Sequence, residues 1–138
     1  MNTIHFLLNE QKTHLKFYIH RAKALNAINF EVMSDLEEVL DIAESLPLNV
    51  FELQTNENGY VASGGDLKEF SALISEDQGF EMANRMAAIL NRIENLNCIT
   101  VASVTGTAFG GGCELVLAFD LVYATEDAKL GFTQIKFG

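Results

Sequence analysis

Apolar residues recur along this chain with two different periods. Ile4 to Leu8 is a short apolar run. From His14 to His20 the chain alternates, with Leu15, Phe17 and Ile19 on one side and Lys16 and Tyr18 on the other. Period two belongs to a half-buried strand, so two strands are predicted. The polar Asn9-Glu10-Gln11-Lys12 between them predicts a hairpin turn, although it lacks a glycine. Met33, Leu36, Leu40 and Ala43 then return at helical spacing, with Glu37, Glu38 and Asp41 on the opposite side. Asn29 can cap this helix, which is predicted to run to about Leu46 and to stop at Pro47. Asn49 to Leu53 reads as a buried strand, and Asn56-Glu57-Asn58-Gly59 as a turn.

A second helix is predicted from about Gln78 to Leu96, where Met82, Met86, Ile89, Leu90 and Ile93 keep the helical period. The β-branched run Ile99 to Val104 predicts another buried strand. A glycine-rich stretch follows from Gly106 to Gly112, then a short helix over Glu114 to Phe119 and a strand over Leu121 to Ala124. Strands alternating with helices define an α/β fold in which helices cover a sheet. The chain has 138 residues, enough for a single domain with its own core.

Composition narrows the function. Apolar residues make up 49%, ordinary for a globular protein, and no run approaches the roughly 18 apolar residues of a membrane span. Met1 to Glu10 is neither basic nor followed by a small-residue cleavage site, which predicts no signal peptide and a cytoplasmic location. Cys98 and Cys113 make no disulfide framework. His5, His14 and His20 read as strand or surface residues, so no metal site is predicted. A net charge of −10 argues against nucleic acid and anionic membrane as partners. Any anionic ligand would depend on local features: backbone N–H groups, a helix start, and single cations such as Arg21, Lys23 or Lys68.

Two glycine-rich turns carry the candidate chemistry. Ser63-Gly64-Gly65-Asp66 follows the strand predicted over 49–54, and Phe109-Gly110-Gly111-Gly112-Cys113-Glu114 follows the strand 99–104. Glycines let a backbone approach a ligand closely, and N–H groups at a helix start favour negative charge. Two such turns converging at the ends of strands in one sheet could form a two-donor oxyanion hole. Each turn alone is usually no more than a tight strand-to-helix connection. Neither is a dinucleotide fingerprint or a phosphate loop.

Four segments together resemble the enoyl-CoA hydratase/isomerase (crotonase) family. Arg21-Ala22-Lys23-Ala24-Leu25-Asn26-Ala27-Ile28 is similar to its opening segment Arg-Pro-x-Ala-Leu-Asn-Ala. Ala62-Ser63-Gly64-Gly65-Asp66-Leu67-Lys68 is similar to its Ser/Ala-Ala-Gly-Ala-Asp-Leu/Ile-Lys motif. Val101 to Gly106, Gly110 to Leu115 and Ala118-Phe119-Asp120-Leu121 resemble its central block. Leu130-Gly131-Phe132-Thr133-Gln134 falls where the family has Phe-Gly-x-Pro-Glu.

The resemblance implies a crotonase-like (ClpP/crotonase) core of repeated β-β-α units, an acyl-CoA thioester as substrate with no further cofactor, fatty-acid metabolism, and assembly as a trimer or hexamer. Because the family runs well beyond Gly138, it also implies that this is the N-terminal part of such a core, truncated on its C-terminal side.

Carried over residue by residue, the resemblance makes the backbone N–H groups of Gly65 and Gly111 the oxyanion donors and Glu114 the first hydratase glutamate. Arg21, Ala24, Leu25, Ala62, Gly64, Asp66, Leu67, Lys68 and Gly110 would line the substrate and CoA path, although Asp66 has a helix cap as its first reading. Gln134 stands at the position of the second glutamate. An amide can orient water but cannot exchange protons at neutral pH, so ordinary hydration is put in question. Decarboxylation or isomerisation through the same enolate is the alternative, and a catalytically inactive binding module or fragment is another.

Overall fold

The computed structural model describes residues 1–64 and 76–132. Strands β1 (Ile4–Leu8) and β2 (His14–Ile19) form the expected antiparallel hairpin, from Ile4 opposite Ile19 to Leu8 opposite Leu15. No glycine is needed at its turn. The Asn9 carboxamide accepts from the backbone N–H groups of Thr13 and His14 at 2.8 and 3.0 Å, and Lys12 takes a left-handed φ of 56°.

Helix α1 spans Phe30–Glu44, two residues short of the predicted end, and the Asn29 side chain caps it by accepting from Val32 N–H. Strands β3 (Val50–Gln54) and β4 (Tyr60–Ala62) follow. Helix α2 (Glu76–Glu94) is shifted about two residues towards the N-terminus from its predicted span. Next come β5 (Ile99–Val104), β6 (Thr107–Phe109), α3 (Gly111–Leu117), β7 (Leu121–Ala124) and β8 (Lys129–Gly131). This is the expected repetition of strand, strand and helix.

The strands divide between two sheets. The larger has the order β1-β2-β3-β5-β7 and is parallel beyond the first hairpin. The two longer strands lie in this one sheet, and β3 and β5 are direct neighbours, in register from Val50 opposite Ile99 to Gln54 opposite Ser103. Leu15, Phe17, Ile19, Phe51, Leu53, Ala102 and Val104 turn one face of this sheet inward. They share a core with Val32, Leu36 and Leu40 of α1 and with Met82, Ile89 and Ile93 of α2.

The smaller sheet, β4-β6-β8, is parallel throughout. It corrects the sequence reading. The glycine turns leave from β4 and β6, not directly from the longer strands before them. Three residues are too few to display a period of two, so these strands left no pattern to read. Among the described residues, no helix is long and apolar enough to cross a membrane.

Candidate functional site

Because β4 and β6 are parallel neighbours, both glycine turns emerge from the same end of the small sheet. That is the end of a parallel sheet at which ligands usually sit. The turns touch. A Cβ built on Gly64, at φ +126°, would stand 3.7 Å from the Phe109 carbonyl oxygen. Gly110 adopts φ 52°, ψ −120°, a conformation that favours glycine, and donates to the Gly131 carbonyl at 2.9 Å, tying the second turn to β8.

Gly111 opens α3. The first intrahelical bond runs from Glu114 N–H to Gly110 O at 3.0 Å, which leaves the N–H groups of Gly111, Gly112 and Cys113 outside the intrahelical ladder. Glu114 lies exposed in this first turn.

The segment 21–28 is pinned against the first turn. Ile28 N–H donates to Gly64 O at 2.8 Å, Ser63 N–H to Leu25 O at 3.2 Å, and Ser63 Oγ to Ala24 O at 3.3 Å. Ile28 also reaches the second turn, since its Cδ1 would be 3.6 Å from a Cβ on Gly111. Arg21 folds back so that its Nη1 donates to Ala27 O at 3.0 Å. Leu25, at φ 51°, is turned outward and is 48% exposed.

Arg21, Ala24, Leu25, Ala62, Gly64, Gly110, Gly111 and Glu114 therefore belong to one neighbourhood built from three separate stretches of sequence. Gly65, Asp66, Leu67, Lys68 and Gln134 lie outside the described residues. The thiol of Cys113 is buried, and its pKa lies above the ordinary value. Burial pushes it up, a backbone hydrogen bond with Gly131 offsets part of this, and the neighbouring Glu114 charge raises it again.

Sequence reasoning missed the residue that holds the neighbourhood together. Asn26, fully buried at φ 61°, accepts from Arg21 N–H at 2.9 Å and donates to Tyr60 O at 3.0 Å and Asn58 Oδ1 at 3.1 Å. It joins the 21–28 segment to the strand that delivers Gly64. Asn26 lay within the quoted motif and Asn58 within a predicted turn, but no local pattern pairs two asparagines 32 positions apart.

Repeated strand-strand-helix units in two mostly parallel sheets give the chain a crotonase-like fold, as the solved structures it superposes on have. Over 99% of its length the chain superposes on an enoyl-CoA hydratase from Bacillus anthracis with a TM-score of 0.88 and 26% identity, covering 53% of that chain. Over its full length it superposes on an enoyl-CoA hydratase from Mycobacterium smegmatis with a TM-score of 0.92 and 24% identity, covering 53% of that chain. In sequence it is 32% identical over 120 residues to a Bacillus subtilis protein described as "Probable enoyl-CoA hydratase", an alignment spanning 87% of this chain and 46% of the relative. The profile of the enoyl-CoA hydratase/isomerase family matches residues 9–138, and the chain belongs to that family. It spans about half the length of these relatives.

Proposed function

We propose that the neighbourhood of Gly64 and Gly111 binds an acyl-CoA thioester and stabilises the enolate formed from it, as the family name and the site's build suggest. The observation that carries this reading is the meeting of the two glycine turns at one end of the small sheet, with segment 21–28 hydrogen-bonded along the first of them. In this reading the backbone N–H groups of Gly65 and Gly111 donate to the thioester oxygen. Such donors act where negative charge develops, and one is commonly worth about 10²–10³-fold in rate. Glu114, one turn into α3, moves the proton at the α- or β-carbon. Arg21, Ala24, Leu25, Ala62, Gly64, Asp66, Leu67, Lys68 and Gly110 line the substrate and CoA path in this reading, with Lys68 the residue assigned to the nucleotide. No metal or further cofactor takes part.

Gln134, at the second glutamate position, favours a reaction with lighter proton handling than hydration, such as isomerisation or decarboxylation through the same enolate. The exposed apolar strand β7 supports assembly with further subunits, trimeric in the complete family, and the setting is cytoplasmic fatty-acid metabolism. The test is calorimetric titration with crotonyl-CoA, followed by turnover of crotonyl-CoA and of a malonyl-type CoA thioester. Binding with Glu114-dependent turnover is the expected result. Binding without turnover would identify an inactive binding module, and no binding by the folded chain would refute the proposal.

A further inference from the structure

The segment that leaves β2 and runs to α1 is gripped by the turn between β3 and β4. Asn56 is buried, and its Nδ2 donates at 2.8 Å to the carbonyl of Ile19, the last residue of β2. Further along the same turn, the Asn58 side chain meets Asn26 in a reciprocal amide pair. Asn26 Nδ2 donates to Asn58 Oδ1 at 3.1 Å, and Asn58 Nδ2 donates to Asn26 Oδ1 at 3.3 Å. Asn58 Oδ1 also accepts from Tyr60 N–H at 3.1 Å, which orients the amide from within its own turn.

With the bonds to Arg21 N–H and Tyr60 O, this pair occupies both donors and both lone pairs of the Asn26 carboxamide. Asn26 is fully buried, whereas Asn58 is exposed. Truncating Asn58 therefore leaves a donor and an acceptor of Asn26 unpaired without opening the core.

What the pair holds is a strained backbone. Leu25 and Asn26 are successive residues at φ 51° and 61°. Asparagine tolerates the left-handed region, and leucine adopts it rarely. Such a conformation persists only where its surroundings over-determine it, and residues so held cluster at ligand clamps. Burial does not reward Leu25 for this pose, because it is 48% exposed. Its carbonyl accepts from Ser63 N–H at 3.2 Å, so the strained residue sits against the first glycine turn. The approach of the two glycine turns, at Gly64 and the Phe109 carbonyl, involves neither asparagine.

We propose, on the acyl-CoA reading of the site, that Asn58 is a positioning residue: acting through Asn26, it holds segment 21–28 in the conformation that receives the CoA moiety, and sets affinity for CoA without touching the thioester end of the ligand. Asn58 itself contacts no ligand.

The experiment compares wild type with Asn58→Ala by calorimetric titration with crotonyl-CoA and with free CoA. The position is exposed and lies in a turn, so far-UV circular dichroism should report a folded variant. Both ligands should weaken by the same factor, about three- to tenfold for one lost amide pair. Introduced into Asn26→Gly, Asn58→Ala should cost no further affinity, because the pair is already broken. Amide hydrogen exchange reads the same device without a ligand. In Asn58→Ala the N–H groups of Asn26, Ile28 and Ser63 should exchange faster, while those of β3 and β5 keep their wild-type rates. A loss confined to crotonyl-CoA, a further loss on the Asn26→Gly background, or unchanged exchange would each overturn the assignment. Wild-type binding with undiminished affinity in Asn58→Ala would overturn it while leaving the acyl-CoA reading intact. A wild type that binds neither ligand would refute that reading, and the assignment with it.

Discussion

The backbone of Gly112 lies so close to Ala62 that a Cβ on Gly112 would stand 2.7 Å from the Ala62 Cβ and 2.8 Å from its carbonyl oxygen. Ala62 is the fully buried last residue of β4, and Gly112 is the second residue of α3. This contact sets the distance between the two glycine turns. Gly112→Ala must therefore move the helix start or the strand. Overpacking of this kind costs about 1–3 kcal/mol. Urea unfolding should show that loss as a lower midpoint at unchanged slope, and crotonyl-CoA should bind more weakly. An unchanged midpoint would mean that α3 shifts freely and that the contact sets nothing.

Asn26 allows side-chain and backbone effects to be separated. Asn26→Ala removes the acceptor for Arg21 N–H and the donor to Tyr60 O while keeping a Cβ at φ 61°. Buried groups left unpaired cost about 1–3 kcal/mol each, and a left-handed backbone adds about 1–2 kcal/mol for a residue such as alanine. Asn26→Gly loses the same amide without the backbone term. Both variants should be destabilised, alanine more than glycine by about 1 kcal/mol. Equal losses would show that the carboxamide alone matters.

These two contacts mark what could and could not be read from sequence. Helix α1 was legible because its apolar period and its Asn29 cap are local, and β5 because six consecutive residues are enough to reveal a buried strand. The glycine turns were visible as composition. Their meeting was not, because it depends on β4 and β6, each three residues long. Asn26 bonding to Tyr60, or Thr3 to Asp35, joins residues more than 30 positions apart. Such pairs become neighbours only once the sheets exist, so neither periodicity nor a motif foretells them.

On the outer face of the large sheet, Glu52 should give stability an acid dependence. Burial alone would raise its pKa. Hydrogen bonds from Gln54, His14 and Ser103, and the Lys16 charge, outweigh burial and hold it below the ordinary value of 4.5. A carboxylate depressed in the folded state stabilises the protein above its unfolded pKa, and that contribution is lost as pH falls through the folded pKa. Glu52→Gln should therefore cost on the order of 1 kcal/mol at pH 7, with the difference from wild type shrinking in strongly acidic solution. Chemical unfolding at neutral and acidic pH measures both. A gap independent of pH would mean that Glu52 acts through packing rather than charge.

Strand β7 should drive self-association. It pairs with β5 and has no second neighbour among the described residues, and Leu121, Val122 and Tyr123 are 45%, 40% and 64% exposed. Parallel strands are normally covered on both faces, and an open apolar edge invites another chain. Sedimentation velocity across a concentration series should show association that Val122→Lys and Tyr123→Lys together suppress. A wild-type chain that stays monomeric throughout would count against this.

The position of Gln134 makes the sharpest prediction about chemistry. If hydration needs two proton-handling groups and only Glu114 can titrate, wild-type hydration of crotonyl-CoA should be slow. General acid–base assistance is commonly worth about 10²–10⁴-fold, so Gln134→Glu should raise hydration by about that order. A native decarboxylation or isomerisation should instead be unchanged or impaired by the same substitution, because a second carboxylate, if residue 134 faces the thioester as the resemblance implies, would oppose enolate formation. If backbone groups hold the thioester oxygen, as proposed, Glu114→Gln should cripple every reaction in which a proton moves while leaving crotonyl-CoA binding within a few-fold of wild type. Full hydration by wild type with no gain in Gln134→Glu would show that the second catalytic position lies elsewhere in the chain.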